Sequence, residues 1–273
     1  MNMDNLGDRM KVYEMAEAGR CLMPRLPILV RLDGKAFHTF TRGLARPYDA
    51  RLSELMVGTT KFLVEQTNAL IGYTQSDEIS LCMYSDSPNS EVYLGGRIQK
   101  LCSVLPSMAT AYFNRYLGDV IPEKVGKMAY FDCRVWNTPN LVEAANVFVW
   151  RELDATKNAI SMAAQAYFSH SALQGKHSGE MQEMLFCVHD INFNDYPTSF
   201  KRGTYVRRVT RDIAYSTEEI DRLPPKHAAR DNPTLTVRRS VVKRVELPKI
   251  TSIANKVEVL FMGAEPVLNE GKL

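Results

Sequence analysis

Several features that would assign this chain to a specialised class of protein are absent from its 273 residues. The five cysteines are scattered, and no two of them form a Cys-x-x-Cys pair. This pattern argues against a disulfide framework and predicts buried free thiols in a reducing compartment. No apolar run approaches the ~20 residues that a membrane-spanning helix needs. Residues Met1 to Asp4 lack the basic start of a secretory signal, so we expect a cytoplasmic protein with no membrane partner.

The sequence also contains no internal repeat, no low-complexity tract and no obvious flexible linker. With 45% hydrophobic and 24% charged residues, its composition is that of an ordinary globular protein. A chain of this length buries enough apolar surface to fold without disulfides or a structural metal. Its length allows one large domain or two modest ones.

Charge is distributed unevenly along the chain, although the net charge is only +3. Residues 199–249 hold 13 Lys and Arg against 6 Asp and Glu, which is a net +7, so the remaining residues sum to −4. A basic segment beside a mildly acidic remainder is typical of a surface that binds a polyanion. A solvated basic face without a partner is the alternative.

The order of strand and helix patterns predicts an α+β fold built on a β-α-β-β-α-β unit. A buried strand at 27–32 ends at Asp33-Gly34, and Asp49 caps a helix whose apolar residues recur at helical spacing. A hairpin at 71–83 follows, and a second helix and a strand at 127–136 complete the unit. This is the ferredoxin-like arrangement, which hosts many functions and therefore does not select a chemistry.

Beyond residue 139 the pattern changes. It is mainly helical up to about Leu173 and then contains short basic strands at 205–210 and 234–243. We therefore predict a first domain over residues 1–139 and a helical, basic C-terminal module over residues 140–273 that packs on it.

The predicted strand order brings two carboxylates together. Asp33 ends the first strand, and Asp77 lies in the hairpin turn with Glu78 beside it. Because the first strand and the hairpin are neighbours in such a sheet, Asp33 and Asp77 would meet at one edge. Clustered carboxylates repel one another unless a cation neutralises them, and Mg²⁺ takes one or two carboxylates together with substrate phosphates. The alternative is two ordinary turn aspartates.

Motifs in these segments resemble those of one known family. Residues Leu32 to His38 read Leu-Asp-Gly-Lys-Ala-Phe-His, and residues 75–78 read Gln-Ser-Asp-Glu. Both closely resemble the tRNA-His guanylyltransferase family, and the similarity continues in order through roughly residues 10–245. The further matching positions are Phe40, Arg46-Pro47 with Asp49, Lys100, Phe131 to Arg134, Trp150-Arg151 with Asp154, and Lys201 to Thr204.

The resemblance implies a polymerase-like palm over residues 1–139 and the site that such a palm carries. Asp33 and Asp77 would be the side-chain ligands of two Mg²⁺ ions, with the Gly34 carbonyl completing one site. Glu78 would support the metal site, so it joins the two aspartates in the predicted catalytic set. The residues implied to contact a nucleoside triphosphate or the RNA 5′ phosphate are Lys35, Ala36, Phe37, His38, Arg46, Ser76, Lys100 and Arg134.

Each of these contact residues also has an ordinary structural role open to it. Histidines such as His38 are often surface groups, and Phe37 is of a type that usually lies in the core. Lys100 and Arg134 are equally consistent with exposed surface charges. The histidines near Cys187-Val188-His189 match no familiar zinc spacing.

The family resemblance implies an enzyme that adds nucleotides, with guanosine favoured, to the 5′ end of tRNA in the 3′–5′ direction. It further implies GTP and ATP as substrates and a homo-tetramer. Eukaryotic members carry His-Ile-Asn-Asn-Leu-Tyr after the Trp-Arg-x-x-Asp motif, whereas Thr156 to Ser161 here keep Asn158 and lack the histidine. That departure is a feature of the family's like-proteins, which repair truncated tRNA 5′ ends. An RNA-independent nucleotidyl cyclase and a non-catalytic RNA-binding protein are the alternatives.

Overall fold

The computed structural model describes residues 5–232 and 234–269. Residues Met1 to Asp4, which entered the prediction of cellular location, lie outside these ranges. Within the described ranges, no helix is both long enough and apolar enough to traverse a bilayer.

The elements of the first part of the chain follow the predicted order. They are α1 (Leu6–Ala18), β1 (Ile28–Gly34), α2 (Phe37–Phe40), α3 (Ala50–Thr67), β2 (Ile71–Gln75), β3 (Glu78–Met83), α4 (Ile98–Val120) and β4 (Phe131–Asn137). The elements of the second part are α5 (Leu141–Gln165), α6 (His170–Leu173), α7 (Ser178–His189), α8 (Thr198–Arg202), β5 (Thr204–Ala214), α9 (Thr217–Arg222), α10 (Ala228–Asp231) and β6 (Thr236–Val245). The predicted α+β fold is confirmed, with β1, α3, β2, β3, α4 and β4 forming its split unit.

The six strands form one sheet in the order β4-β1-β3-β2-β5-β6, and every neighbouring pair is antiparallel. In this register Asp33 lies opposite Glu78 of β3 and opposite Asp132 of β4. Only Thr204 to Arg207 of β5 pair with β2, so the remainder of β5 continues beside β6 as a two-stranded ribbon. The C-terminal strands therefore extend the same sheet, while the domain boundary at residue 139 stays a prediction.

Alternation along β1 divides the core between the two faces of the sheet, because successive side chains of a strand point in opposite directions. Val30 and Leu32 pack with the helices α3 and α4. Leu29 packs with α5, through residues that include Phe148. Asp33 has the same parity as Leu29, so its side chain belongs to the face that α5 covers.

Helix α3 begins where the sequence indicates. Asp49 is its N-cap, and its carboxylate accepts a hydrogen bond of 3.0 Å from the Arg51 amide. Such a cap satisfies one of the amides that a helix leaves free at its start. Leu55 and Leu63, which share the apolar stripe, are buried. The predicted cap and helix are confirmed.

Two detailed predictions are corrected. The strand predicted at 127–136 begins only at Phe131, because the backbone before it is bonded elsewhere. The Lys127 amide donates to the Lys124 carbonyl at 2.9 Å, and the Ala129 amide donates to the Asn114 side chain at 2.9 Å.

The prediction of buried thiols holds for Cys82 but is wrong for Cys21 and Cys187, which are exposed, while Cys102 and Cys133 are half-buried. Cys187 lies near the end of α7, among residues that face away from the core. The spacing of cysteines along the chain carries no information about which face of an element they occupy.

Candidate active site

Asp33 and Asp77 come together where β1 ends and the β2–β3 hairpin turns. Asp33 lies opposite Glu78, so Asp77 is one residue farther along the turn. Both aspartates line one cavity of ≈ 540 Å³. Burial raises the pKa of Asp77, and repulsion from Asp33 raises it further. The two negative charges therefore repel each other, and a bound cation would relieve that repulsion.

Unusual backbone conformations flank this pair of carboxylates. Ser76 and Ala36 have φ angles of 54° and 55°, in a region that residues with a Cβ rarely occupy. The neighbouring Ser76 hydroxyl lowers the pKa of Asp77, against the effect of burial. Strain of this kind persists only where the surrounding structure fixes it, and it is concentrated at functional sites.

Because Gly34 has no side chain, the backbone can turn from the end of β1 into α2. A Cβ placed on Gly34 would lie 2.3 Å from the ring of Phe37, so no larger residue fits beneath α2. The Phe37 ring is only 4% exposed and lies 5.0 to 5.7 Å from the rings of Phe40, Phe113 and Phe131. This packing anchors α2 and thereby holds the chain that follows Asp33.

A second cavity of ≈ 490 Å³ lies on the α5 side of the same carboxylates. It shares Asp33, Ser76 and Asp77 with the first cavity and is lined also by Arg31 and Asn158. The carboxylate pair is thus reached from two cavities. Such an arrangement allows two phosphorylated molecules to meet at one pair of acidic groups.

Glu78 has a different environment from the two aspartates. Its two carboxylate oxygens accept hydrogen bonds from Arg151 Nε at 2.5 Å and Nη2 at 2.7 Å. Burial raises the pKa of Glu78, and the Arg151 guanidinium opposes that rise. The predicted supporting residue therefore has a cationic partner from α5, which the sequence did not reveal.

Comparisons with known proteins identify the family. The tRNAHis guanylyltransferase family model matches residues 7–139. The tRNA(His) guanylyltransferase of Saccharomyces cerevisiae is 30% identical over 204 residues, which cover 68% of this chain and 84% of the yeast protein. The chain belongs to the tRNA(His) guanylyltransferase family. Its membership confirms the resemblance found in the motifs, and members of this family are nucleotidyltransferases.

Two solved structures of bacterial tRNA(His) guanylyltransferase-like proteins share the palm-like fold. The one in complex with ATP is 42% identical with a TM-score of 0.71, and the match covers 74% of this chain and 88% of that one. The one in complex with GTP is 35% identical with a TM-score of 0.68, and the match covers 91% and 94%. The fold predicted from the family's motifs is therefore confirmed.

Most of the predicted site residues line the larger cavity. They are Asp33, Gly34, Ala36, Phe37, His38, Arg46, Ser76 and Asp77. Lys35, Lys100 and Arg134 line neither of the two cavities at the carboxylates and are exposed. Arg134 lies on β4 with its guanidinium 3.5 Å from the Asp132 carboxylate. Phosphate contacts by these three residues stay predictions, as do the contacts of the cavity residues.

The C-terminal half supplies part of the cavity wall, which the sequence did not predict. Met162 and Gln165 of α5 and Ser199 and Phe200 of α8 line the cavity with the family's motif residues. Tyr48 lines it as well, and its ring stacks on Phe200 with centroids 4.6 Å apart. Nothing in the local sequence around these residues indicates a site, because they are brought to it only by the packing of α5 and α8 against the palm.

The two carboxylates suit Mg²⁺ better than a structural metal ion, which would need three or more protein ligands. Among the residues described by the structure, no group of three or more His, Cys, Asp or Glu side chains is arranged to hold a metal ion. Mg²⁺ needs fewer protein ligands, since it is commonly held by one or two carboxylates and by substrate phosphates. The Asp33 and Asp77 carboxylates provide hard oxygen donors of that kind beside a cavity large enough for a nucleotide.

Proposed function

We propose that this protein adds nucleotides, with guanosine favoured, to the 5′ end of a tRNA in the 3′–5′ direction. The observation that carries the proposal is the meeting of Asp33 and Asp77 at the junction of two cavities. In 3′–5′ addition, the hydroxyl of the incoming nucleotide attacks the activated 5′ phosphate and displaces its leaving group, pyrophosphate or a nucleotide. Two phosphorylated substrates must therefore reach one place, and a carboxylate pair accessible from both sides suits that requirement.

The proposal includes Mg²⁺ held by Asp33 and Asp77, with the Gly34 carbonyl as a further ligand. When bound, Mg²⁺ would stabilise the negative charge that develops at the phosphoryl group during displacement. The chain itself fixes the two carboxylates through the β1–β3 register, the left-handed backbone at Ser76 and the packing of Gly34 against Phe37.

The larger cavity is proposed as the site for GTP or ATP. Its volume of ≈ 540 Å³ lies within the range of small-molecule pockets. Tyr48 and Met162, which are partly exposed, supply apolar surface for a base, while Ser76 and His38 supply polar groups. The bacterial relatives whose structures contain ATP and GTP support the choice of nucleotide.

The β5–β6 ribbon supports an RNA substrate over a cyclase activity, because a cyclase needs no extended basic surface. Arg211 and Arg238 are exposed on the ribbon, and the charge of residues 199–249 is +7. Arginine side chains bind phosphates through paired hydrogen bonds. On α5, Asn158 and Ser161 line the second cavity, where the family's histidine motif is missing. This loss favours tRNA 5′-end repair beside, or in place of, tRNA-His guanylylation.

Self-association, as a homo-tetramer by family resemblance, is part of the same proposal. Helix α1 buries none of its residues, and Leu6, Met10 and Tyr13 are exposed at spacings that share one helical face. An apolar stripe of this kind is stabilised when a second copy covers it. Light scattering on the purified protein measures the mass and tests the prediction.

Transfer of label from GTP to RNA tests the activity directly. The protein is incubated with Mg²⁺, labelled GTP and a tRNA lacking its first nucleotide, beside Asp33→Asn and Asp77→Asn variants. We expect labelled RNA with the wild type and background label with both variants. Asp190→Asn is the matched control, because it makes the same chemical change at an exposed helix end with φ of 56°, which Asn adopts readily.

The same assay separates the alternatives. A labelled cyclic nucleotide formed without RNA would establish the cyclase activity instead. Salt-sensitive RNA binding with no product would leave only an RNA-binding protein. Comparing full-length tRNA-His with 5′-truncated tRNAs distinguishes guanylylation from repair.

A further inference from the structure

The Trp-Arg-x-x-Asp motif of α5 has no role in the function proposed so far, yet it contacts the active site. Arg151 donates to both oxygens of Glu78, at 2.5 and 2.7 Å, and to Asp154 at 2.9 Å. The side chains of Arg151 and Glu78 are only 9% and 17% exposed. The Arg151 guanidinium carbon lies over the Trp150 ring, 4.5 Å from its centroid. The motif therefore builds a shielded ion pair beside the catalytic turn.

The position of this ion pair sets the charge around the carboxylates. Glu78 follows Asp77 directly in the chain and lies opposite Asp33 in the sheet. A bidentate arginine fixes the direction of a carboxylate, and an ion pair shielded from water is rigid. Both Glu78 oxygens accept hydrogen bonds from Arg151, so the guanidinium compensates the charge of Glu78.

We propose that Arg151 is a positioning residue that neutralises Glu78 and leaves Asp33 and Asp77 as the carboxylates available to a divalent cation. The inference rests on the proposed function only in taking that cation as the ligand. It gives the α5 motif a physical role at the carboxylate pair, through a contact between two residues that are 73 positions apart in the sequence.

A double-mutant cycle on the pair tests this role. Mn²⁺ is the probe, and its binding to Arg151→Gln, Glu78→Gln and the double variant is measured by electron paramagnetic resonance without RNA or nucleotide. Removing the arginine charge is expected to tighten Mn²⁺ binding, and removing the glutamate charge to weaken it, each by about threefold to tenfold. In the double variant the two shifts cancel, because the net charge of the pair is again zero.

Opposite shifts that cancel are the signature of charge compensation. Shifts of both single variants in the same direction, or a larger loss in the double variant, would overturn the proposal. So would an absence of Mn²⁺ binding by the wild type. Lys176→Gln is the matched control, since it removes the cation of an exposed pair with Glu180, 3.1 Å apart, outside the site.

A conservative variant distinguishes the loss of charge compensation from simple misfolding. Arg151→Lys keeps the charge but offers no planar pair of donors, so Mn²⁺ affinity should stay near the wild-type value while nucleotide transfer falls. If Arg151→Gln does not fold, Arg151→Lys and Glu78→Gln decide the question by the same criteria, with thermal unfolding as the check on structure. Because metal binding is read without RNA, a wild type that transfers no label contradicts the proposed function without affecting this test.

Discussion

Gly203 lies so close to Tyr73 that a Cβ at position 203 would be 2.6 Å from the tyrosine ring. The ring cannot move away easily, because Tyr73 is buried and its hydroxyl donates to the Arg202 carbonyl at 2.9 Å. Gly203 also has φ of 78° and ψ of −172°, a conformation open essentially to glycine alone. This contact joins the hairpin that carries Asp77 to the start of β5.

Gly203→Ala should therefore destabilise the protein severely. Backbone strain and the overlap with Tyr73 together are expected to lower the free energy of unfolding by more than about 3 kcal/mol. Gly175→Ala is the control, because Gly175 has φ of 76° but no atom within 4 Å of its Cβ position. Its cost should be about 1 kcal/mol. Urea denaturation of both variants measures the difference, and equal losses would show that the Tyr73 contact contributes nothing.

Asp77→Asn should stabilise the metal-free protein while abolishing nucleotide transfer. Burial raises the pKa of Asp77, so its charged form is less favourable in the folded state than in the unfolded state. The penalty grows as pH rises above the ordinary value of 3.8 and is absent at lower pH, where the carboxyl is protonated in both states. The gain from Asn should follow the same pH dependence in thermal unfolding with EDTA. A gain that does not vary with pH would mean that the Asp77 charge is not its cause.

The ion pair of Asp49 and Arg51 should give the opposite pH dependence. Hydrogen bonds from the Arg51 side chain lower the pKa of Asp49 to about 2. The resulting stability is fully present above 3.8, the ordinary pKa of the carboxyl, and is lost as pH falls through about 2. Because Arg51 is partly exposed, we expect its pair with Asp49 to contribute about 1–2 kcal/mol to the free energy of unfolding near neutral pH. Unfolding of Arg51→Met against the wild type measures this contribution together with that of the exposed Arg51–Glu123 pair, and the two curves should converge in acid.

The elements that depend on a local signal in the sequence were predicted correctly, and those that depend on distant contacts were not. The cap at Asp49, the strand before Asp33 and the hairpin around Asp77 were predicted because each depends on a turn signal or on hydrophobic periodicity within a few residues. The start of β4 was misplaced because the Asn114 side chain, 15 residues away, takes the Ala129 amide.

The site was predictable only where its residues belong to motifs in the chain. Asp33 and Asp77 follow from strand order, since neighbouring strands bring their ends together. The pairing of Glu78 with Arg151 and the wall formed by Phe200 depend on how α5 and α8 pack on the sheet. Packing of this kind joins residues far apart in sequence, and no local pattern records it.

Replacing Ser76 by glycine should change the stability of the catalytic turn and its activity in opposite directions. Its φ of 54° is unfavourable for a residue with a Cβ, whereas glycine adopts it without steric strain. Ser76→Gly should therefore raise the free energy of unfolding by about 1 kcal/mol. Nucleotide transfer should fall, because the hydroxyl that lowers the pKa of Asp77 is lost. Ser76→Ala loses the same hydroxyl and keeps the strain, so it should be less stable than Ser76→Gly. Thermal unfolding and label transfer on all three give the two rankings, and a Ser76→Gly protein as active as the wild type would remove Ser76 from the site.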